Sequence, residues 1–493
     1  MLICTMARFG RNPTMDKPAL FSSYLTNNPL IRRRRLISMK TVTKKIASSV
    51  AGAILALVFF ASPVLASGET VADFSDQLSQ SQQYGFKHAI AIDQESGQIL
   101  YQKAADDLHG IASLTKLLSL YVIYDQLAQG KLSLDEAVPV SPALAKQSQA
   151  EGLSNVPLVA GPANYSVDQL IDAVIIASAN SATVALAEKV AGSEDHFIEL
   201  MAQKLDQLGI KDYNLVSASG LRGELRADAR PGQYSETEEN QISAKSLALV
   251  VQRLLNDYPD IQSRSQVEEK VFQVAPDWQV TMTNSNQLLP GMTYGRRDIT
   301  GLKTGTELGA GYCLVATSFI NQRPVILVTL GAASNEDRFL ETSRLLTDLQ
   351  NNLDWIVLIP QGALYNNGEE VEIYGGNKAT TQLQYGNTVA CFVPQNYSIS
   401  DSPEADFTEP ASYSMNGNLE VNAPLEEGEA VNTEILHIPF VDSVDGQLAL
   451  ATDLMPTENV KRVSPFVQIT RKVHESMQFI SDWLNAKIAE YSN

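Results

Sequence analysis

The feature that most constrains the fold of this chain is a helix with no polar face. The run LLSLYVIYDQLA begins a few residues after Ser113, is apolar on nearly every side and is stopped by Gly130. A helix of this kind has to be covered all round by other elements, and a glycine commonly follows the last helical residue. The pattern therefore predicts a buried helix at the centre of a domain.

Two pairs of apolar runs predict β-hairpins, one before this helix and one well after it. The segment FKHAIAIDQESGQILYQK turns at Ser96-Gly97, and the runs GYCLVATSFI and RPVILVTLGA flank Asn321-Gln322. Apolar runs around a short turn-forming pair are typical of antiparallel hairpins. We therefore expect an α/β domain over residues 67–354, in which an antiparallel sheet joins the two ends of the domain and is flanked by helices.

Further helices are predicted between and after the hairpins. The sequence SVDQ is a capping box that begins a helix at Ser166. This helix ends at a short break, Ser178-Ala179-Asn180, and another helix restarts at once and ends at Gly192. A last helix of this domain is predicted over DRFLETSRLLTDLQ. The break is a place where a hydroxyl and an amide can point into a cleft.

The character of the sequence changes after Asp354. Short β-type runs such as EEVEIYG and TVACFVP alternate with the turn signals NNG, GGN and YGN, and an acidic stretch, SISDSPEADFTEPASYS, separates two groups of runs. This pattern predicts an all-β domain with one long surface loop over residues 355–462. Residues 463–493 predict an amphipathic helix, with apolar side chains at spacings of three and four: Phe466, Ile469, Val473, Met477, Ile480, Leu484 and Ile488.

Residues 1–66 have the pattern of an N-terminal extension with an export signal. They hold ten Lys and Arg side chains against one acid, Asp16, and Met39 begins a segment made of KTVTKK, the apolar run IASSVAGAILALVFFASP and a small-residue site at Ala66. This order is that of a secretory signal peptide, so we expect export and cleavage after Ala66, with translation starting at Met39 rather than Met1. An uncleaved transmembrane anchor is the alternative, because the apolar run is of borderline length for a membrane span.

The rest of the chain is strongly acidic and has no metal-binding pattern. Beyond residue 66 there are 27 basic and 55 acidic side chains, which argues against nucleic acid as a partner. The five histidines are scattered, and neither CxxC nor HExxH occurs, so we predict no metal and no cofactor. Only Cys313 and Cys391 follow Ala66, in different predicted domains, so a disulfide framework is not expected.

A serine and a lysine stand one turn apart where the buried helix begins. In IASLTKLLS, Ser113 and Lys116 are three residues apart, so on a helix their side chains share a face. A lysine can take the proton of a serine hydroxyl only if its pKa is depressed, by burial, by a second cation or by the positive end of the helix dipole. The spacing alone is weak evidence for a nucleophile and its base, because a lysine on a helix is usually exposed to solvent.

Two further motifs make the pattern specific. The sequence SAN, from Ser178 to Asn180, lies 65 residues after Ser113, and KTG, from Lys303 to Gly305, lies 125 residues beyond that. Separately they are typical of a helix cap and of a turn at a strand edge. In this order with SxxK, they form the set found in penicillin-binding proteins and serine β-lactamases.

The chain resembles the D-alanyl-D-alanine carboxypeptidases of the low-molecular-weight penicillin-binding protein family. The blocks that carry the resemblance lie within residues 70–350: ASLTKLLSLYVIYDQLAQGKLSL, VDQLIDAVIIASANSATVALAEKVAGSEDHFIELM, NSNQLL before LKTG, and AGYCLVAT. The resemblance implies a catalytic domain of the penicillin-binding-protein fold, followed by the small all-β domain and the C-terminal helix.

The resemblance also assigns the reacting groups. It makes Ser113 the acylated nucleophile, Lys116 its base and Ser178 a relay of protons to the leaving group. It gives Asn180 a hydrogen bond to the substrate backbone. Backbone N–H groups of Ser113 and Thr306 would form an oxyanion hole, where fixed donors stabilise the charge that develops in the transition state.

Substrate-binding residues are implied on the KTG segment and after it. Lys303 would set the electrostatics of the site, Thr304 would contact the terminal carboxylate of the substrate, and Gly305 completes the motif. Arg338 matches a family arginine near that carboxylate; its alternative is a surface arginine at the start of a helix.

The activity implied is the removal of the terminal D-Ala from peptidoglycan stem pentapeptides that end in D-Ala-D-Ala, in cell-wall maturation, with β-lactams as covalent inhibitors. The C-terminal helix would hold the exported enzyme on the outer face of the cytoplasmic membrane. The alternatives are a transpeptidase, a weak β-lactamase or a non-catalytic wall-binding protein. Intact Ser113, Lys116 and Lys303 favour an enzyme. Efficient β-lactam hydrolysis is not expected, because Glu224 lies in a loop rich in glycine and arginine and no ExxLN pattern occurs.

Two positions depart from the family pattern. Ser181 replaces the acid of the usual SGND, and Glu307 stands where threonine is frequent. We expect both at the rim of the site, where they would affect substrate preference more than chemistry.

Overall fold

A computed structural model describes residues 71–235, 237–395, 406–407 and 419–491 of the chain. The predicted signal peptide, its cleavage site at Ala66 and the start at Met39 lie outside the described residues, as does nearly all of the acidic stretch SISDSPEADFTEPASYS.

The helices of the described residues are α1 Val71–Gln82, α2 Thr115–Ala128, α3 Pro142–Gln147, α4 Val167–Ile176, α5 Asn180–Ala191, α6 Glu194–Gln207, α7 Ala244–Asp257, α8 Asp260–Ser265, α9 Asn335–Asn352 and α10 Pro465–Tyr491. The strands up to the end of the second predicted hairpin are β1 His88–Asp93, β2 Ile99–Lys103, β3 Leu108–Gly110, β4 Ala137–Val140, β5 Gly161–Ser166, β6 Tyr213–Asn214, β7 Gln241–Ser243, β8 Glu269–Ala275, β9 Trp278–Thr283, β10 Gly301–Glu307, β11 Gly311–Ile320 and β12 Arg323–Ala332. The later strands are β13 Leu353–Ile359, β14 Val371–Tyr374, β15 Thr380–Thr381, β16 Leu383–Tyr385, β17 Val389–Pro394, β18 Asp406–Phe407, β19 Glu420–Asn422, β20 Asn432–Ser443 and β21 Gly446–Pro456.

The central sheet joins the two ends of the predicted catalytic domain, as expected. Its five strands have the order β10-β11-β12-β1-β2, and all neighbours are antiparallel. The two-residue turn between β11 and β12 has positive φ at both Asn321 and Gln322, which is the conformation that suits the twist of a tight hairpin. Strand β10, which carries the KTG motif, lies at one edge of this sheet.

Helix α2 is the buried helix that the sequence predicts. All of its residues from Thr115 to Tyr124 are buried, and it lies among α5, α6 and α7. Gly130 follows its end with φ +67, a conformation that glycine adopts without strain. The first turn of α2, which carries Lys116, is therefore held in place by packing against these helices.

The strands after α9 bury hydrophobic clusters of their own, one around Val371 and Leu454 and one around Val389 and Leu436. They also bond to the central sheet: both backbone groups of Phe392 hydrogen-bond to the side chain of buried Gln98. The described residues form one compact unit. The domain boundary near residue 355 stays a prediction.

Candidate active site

A cleft of about 500 Å³ opens beside Ser113. Its walls come from three parts of the chain: the break before α5, which contributes Asn180; the loop after β6, which contributes Gly220 and Arg222; and the end of β10, which contributes Thr306. The cleft thus brings together Ser113 of SxxK, Asn180 of SAN and Thr306, the residue that follows KTG.

Ser113 is presented by a single 3-10 turn, Ala112–Leu114, that leads directly into α2. Two glycines let other backbone segments approach this turn closely. A Cβ on Gly220 would lie 1.9 Å from the Ala112 carbonyl oxygen, and a Cβ on Gly305 would lie 2.8 Å from that of Ile111. The turn is therefore held between the 220 loop and β10. Ser113 stays partly exposed to the cleft, while Lys116, one helical turn on, is fully buried.

Lys116 makes three polar contacts. Its Nζ lies 2.9 Å from Ser113 Oγ, 2.6 Å from Asn180 Oδ1 and 2.6 Å from the Ser219 carbonyl oxygen. Burial lowers the pKa of Lys116 well below that of an ordinary lysine, and the charge of Lys303 lowers it further. A neutral amine has two N–H groups and one lone pair. Since the amide oxygen and the carbonyl can only accept hydrogen bonds, they take both N–H groups and leave the lone pair facing Ser113.

The break between α4 and α5 places Ser178 and Asn180. Ser178 has φ 56, and its hydroxyl is buried without a hydrogen-bond partner among the described residues. Buried polar groups are nearly always bonded, so this hydroxyl has unused hydrogen-bonding capacity, although Ser178 itself is not among the residues that line the cleft. Asn180 is the first residue of α5. Its contact with Lys116 gives it a role beside the substrate contact that the resemblance implies.

The KTG segment lies on β10, with its polar groups turned to different partners. Lys303 is buried, and its Nζ donates to the Thr304 carbonyl oxygen at 3.1 Å. Burial lowers the pKa of Lys303 to about 7, with a further contribution from the charge of Arg338. The Thr304 hydroxyl lies 2.6 Å from Ser285 Oγ. Thr306 is exposed on the cleft side.

Arg338 is buried in the first turn of α9, so its alternative as a surface arginine is wrong. Its Nη1 donates to the Gly305 carbonyl oxygen and to Thr306 Oγ1, both at 2.9 Å, and its Nη2 donates to Asn335. Its Nε is buried and has no hydrogen-bond partner among the described residues. Burial lowers the pKa of Arg338 to about 10.

Two buried cations, Lys303 and Arg338, therefore lie on one side of the site, close to the amine of Lys116. The described residues give Lys116, Lys303 and Arg338 only neutral hydrogen-bond acceptors, with no Asp or Glu in an ion pair with any of them. Burying a cation without a counter-ion costs free energy. Such a cluster is suited to bind an anionic ligand, for example a carboxylate.

The two departures from the family pattern differ in position. Glu307 lines the cleft, as predicted, and its carboxylate lies 3.2 Å from Arg222 Nε; Arg222 also pairs with Glu224. The predicted place of Ser181 at the rim is wrong, because Ser181 is fully buried and donates to Gln147 of α3. Packing of α5 against α3 covers the first turn of α5 at this position.

Sequence reasoning missed the residues that support the motif side chains. The Ser219 carbonyl contacts Lys116, Ser285 contacts Thr304, and buried Asn240 binds the loop that carries Ser219. The first of these acts through its backbone, so its residue type carried no signal. NSNQLL, which contains Ser285, is a block of the resemblance, and that was the available signal for Ser285.

Other sequence expectations concern cysteines and metals. Cys313 and Cys391 are both free and buried. Within the part of the chain that the structure describes, no three His, Cys, Asp or Glu side chains are grouped as a metal ion would require.

Comparison with known proteins agrees with this geometry. A sequence profile of the D-alanyl-D-alanine carboxypeptidase family matches residues 76–334. The chain is 30% identical over 403 residues to D-alanyl-D-alanine carboxypeptidase DacC of Escherichia coli, which covers 80% of this chain and 90% of that protein. It is 24% identical over 396 residues to D-alanyl-D-alanine carboxypeptidase DacF of Bacillus subtilis, with the same two shares.

A solved structure extends the likeness to the later strands. The peptidoglycan synthesis regulatory factor PBP3 of Streptococcus pneumoniae aligns with a TM-score of 0.65 and 28% identity, over 77% of this chain and 100% of that chain. The fold is thus that of the penicillin-binding proteins. From its motifs, its cleft and these likenesses, the chain belongs to the D-alanyl-D-alanine carboxypeptidase family.

Proposed function

We propose that this chain carries out the carboxypeptidase reaction of its family through an acyl-enzyme on Ser113, acting on peptidoglycan stem peptides that end in D-Ala-D-Ala. The observation that carries the proposal is the contact of Ser113 with a buried lysine whose other two polar partners are acceptors only. Among the described residues that line the cleft, no other one pairs a partly exposed nucleophile with a base of depressed pKa.

Acylation begins with proton transfer from Ser113 Oγ to the neutral amine of Lys116. The serine oxygen attacks the carbonyl carbon of the penultimate D-Ala, and the carbonyl oxygen takes up negative charge. Backbone N–H groups of Ser113 and Thr306 stabilise that charge as an oxyanion hole. The assignment of this oxyanion hole rests on the family pattern and on the close approach of β10 to the turn that carries Ser113.

Collapse of the tetrahedral intermediate breaks the C–N bond and releases the terminal D-Ala. Its nitrogen needs a proton, which Lys116 gained in the first step and Ser178 passes on. This role of Ser178 rests on the family pattern; among the described residues its buried hydroxyl has no hydrogen-bond partner that would compete for the leaving nitrogen. Water then attacks the ester carbonyl while Lys116 accepts a proton from the water. The bond between the acyl carbon and Ser113 Oγ breaks, Lys116 returns the proton to Ser113 Oγ, and the shortened peptide leaves.

Recognition of the substrate's C-terminus follows from the buried cations. Lys303 and Arg338, with the hydroxyls of Thr304 and Thr306, would bind the terminal carboxylate, which supplies the negative charge that the site lacks. Asn180 Nδ2 would bind the substrate backbone. A β-lactam carries a similar carboxylate and a reactive carbonyl, so it acylates Ser113 in the same way and acts as a covalent inhibitor.

We further propose that the mature enzyme is exported and lies at the outer face of the cytoplasmic membrane, attached by α10. In the described residues no helix is both long and apolar enough to cross a membrane. Helix α10 instead exposes large apolar side chains along its length, among them Phe466 (74% exposed), Phe479 (73%) and Trp483 (55%). An exposed apolar stripe on a long helix is suited to lie in the membrane interface.

The test of the acyl-enzyme is an adduct with benzylpenicillin, measured by intact mass and peptide mapping. The wild-type protein should gain one penicilloyl group on the peptide that contains Ser113, and it should release D-Ala from a pentapeptide ending in D-Ala-D-Ala. Ser113→Ala should do neither. An adduct on another serine would overturn the proposal, and rapid turnover of penicillin without a lasting adduct would favour a β-lactamase.

The role of Lys116 has a matched control in Lys103. Lys116→Arg should slow acylation by a factor on the order of 10² to 10⁴, the usual contribution of general-base catalysis, because a guanidinium stays protonated. Lys103 is another lysine whose pKa burial lowers, and it donates to backbone carbonyls away from the cleft. Lys103→Arg should acylate at the wild-type rate. Normal acylation by Lys116→Arg would contradict the mechanism.

A further inference from the structure

We propose that Asn240 is a positioning residue for Lys116: it fixes the segment 216–221, whose Ser219 carbonyl holds the amine of that lysine. This inference rests on the proposed role of Lys116 as the base.

The side chain of Asn240 uses its full hydrogen-bonding capacity. Its Oδ1 accepts from the backbone N–H groups of Val216 (2.5 Å) and Ser217 (3.0 Å). Its Nδ2 donates to the Ser217 carbonyl (2.8 Å) and to Thr115 Oγ1 (3.1 Å). An amide offers two acceptor sites and two donors, and all four are used in a fully buried position.

These bonds join the three chain segments that meet at the nucleophile. Thr115 is the first residue of α2, and the Asn240 backbone carbonyl accepts from Ile111 N, just before the turn of Ser113. Asn240 itself precedes β7, which pairs with β3. One residue therefore fixes the distance between the Ser113–Lys116 unit and the segment 216–221.

That segment packs against the turn of Ser113 through Gly220, and it contacts the amine of Lys116 through the 2.6 Å bond from Lys116 Nζ to the Ser219 carbonyl. Other buried groups restrain the segment beside it: Glu194 accepts from Ala218 N, and Ser119 donates to the Ala218 carbonyl. If the Val216–Ser217 end is released, the Ser219 carbonyl no longer holds one N–H of the amine. The amine can then rotate, and its lone pair no longer faces Ser113.

The test separates binding from acylation. We would measure the acylation of Asn240→Asp and Asn240→Ala by a fluorescent penicillin under stopped flow, and derive the non-covalent dissociation constant and the acylation rate constant. Asn240→Asp keeps both acceptor contacts and loses both donors, and Asn240→Ala loses all four bonds without adding a charge. Both should lower the rate constant, by about tenfold or more, as part of the general-base contribution, with the dissociation constant changed less than about twofold.

Gln98→Glu is the matched control, since it changes another fully buried amide that binds backbone groups, those of Phe392, away from the cleft. It should lower the melting temperature but leave the acylation rate constant within about twofold of wild type. If the Asn240 variants lose only burst amplitude, with a normal rate constant in the folded fraction, Asn240 is merely structural and the inference is wrong. Normal acylation by Lys116→Arg would instead refute the proposed function, so the two failures are distinguishable.

Discussion

At the scale of single residues, the proposed mechanism depends on two lysines that need opposite protonation states. Lys116 has to be neutral to accept a proton, whereas Lys303 has to be charged to attract a carboxylate. Both lie in the same buried region, where desolvation disfavours the charged form. The charge of Lys303 further lowers the pKa of Lys116, while the pKa of Lys303 itself is about 7. The proposed mechanism requires Lys116 to lose its proton before Lys303 does.

This order of titration predicts a bell-shaped pH profile for kcat/KM on a peptide that ends in D-Ala-D-Ala. Activity rises with pH as Lys116 becomes neutral, and it falls above a pH of about 7 as Lys303 loses its charge. The falling limb should come mainly from KM, since it reports carboxylate binding. In Lys303→Arg the cation stays charged, so the remaining activity should show no falling limb near neutral pH. If Lys303→Arg still shows the falling limb, a group other than Lys303 is responsible for it.

The sequence predicted the candidate reacting side chains but not the groups that hold them in place. Ser113, Lys116, Ser178 and Lys303 could be predicted because their chemistry is recognisable at fixed spacings. The Ser219 carbonyl was not, since every residue has a carbonyl. Asn240 acts through tertiary contacts with residues 216 and 217, and no local pattern in the sequence marks such a residue.

At the scale of secondary-structure elements, the site depends on how closely β10 approaches the turn before α2. Gly305 makes this possible: a Cβ there would lie 2.8 Å from the Ile111 carbonyl oxygen and 3.2 Å from the Leu114 side chain. Contacts below about 3 Å force one of the two backbones to move, and protein interiors resist such displacement. Gly305 thus keeps the edge strand within reach of Ser113.

We therefore predict that Gly305→Ala slows acylation by penicillin at least about tenfold. The added Cβ would move β10, and with it the Thr306 N–H, away from the oxygen of the carbonyl group that Ser113 attacks. Circular dichroism should show an intact fold. Gly85→Ala is the matched control, since a Cβ at Gly85 makes only an ordinary 3.5 Å contact with the Glu341 side chain and its φ is not positive. Equal acylation rates for the two variants would show that β10 does not need this close approach.

The predicted elements agree with the structure where the periodic pattern is long. Helix α2 and the hairpin β11-β12 were found because each has ten or more residues in a regular apolar pattern. Strands β3, β6 and β7 have two or three residues each and were not predicted, since so few residues give no period. The position predicted for Ser181 was wrong for a related reason. The place of a residue on a helix does not show which neighbouring element will cover its side chain.

At the scale of the whole molecule, helix α10 packs against the later strands and does not line the cleft. Its first turns contact the later strands: Arg471 donates to the Gly376 carbonyl, and Lys472 lies over the ring of Tyr374. None of the residues that line the cleft belongs to α10. The helix carries three basic and three acidic side chains, so apolar burial, rather than attraction to anionic lipid, has to supply any membrane affinity.

Truncation after Arg462 should therefore release the enzyme from membranes without loss of catalysis. The full-length protein should float with liposomes and stay bound in 1 M salt, at which exposed charges are screened within about 3 Å. The truncated protein should remain in the soluble fraction and acylate with penicillin at the wild-type rate. A full-length Phe479→Asp/Trp483→Asp variant, which changes two exposed positions of α10, should also fail to float. If the truncated protein still floats, or if salt alone releases the full-length protein, α10 is not an apolar anchor, and attachment has to come from another part of the chain.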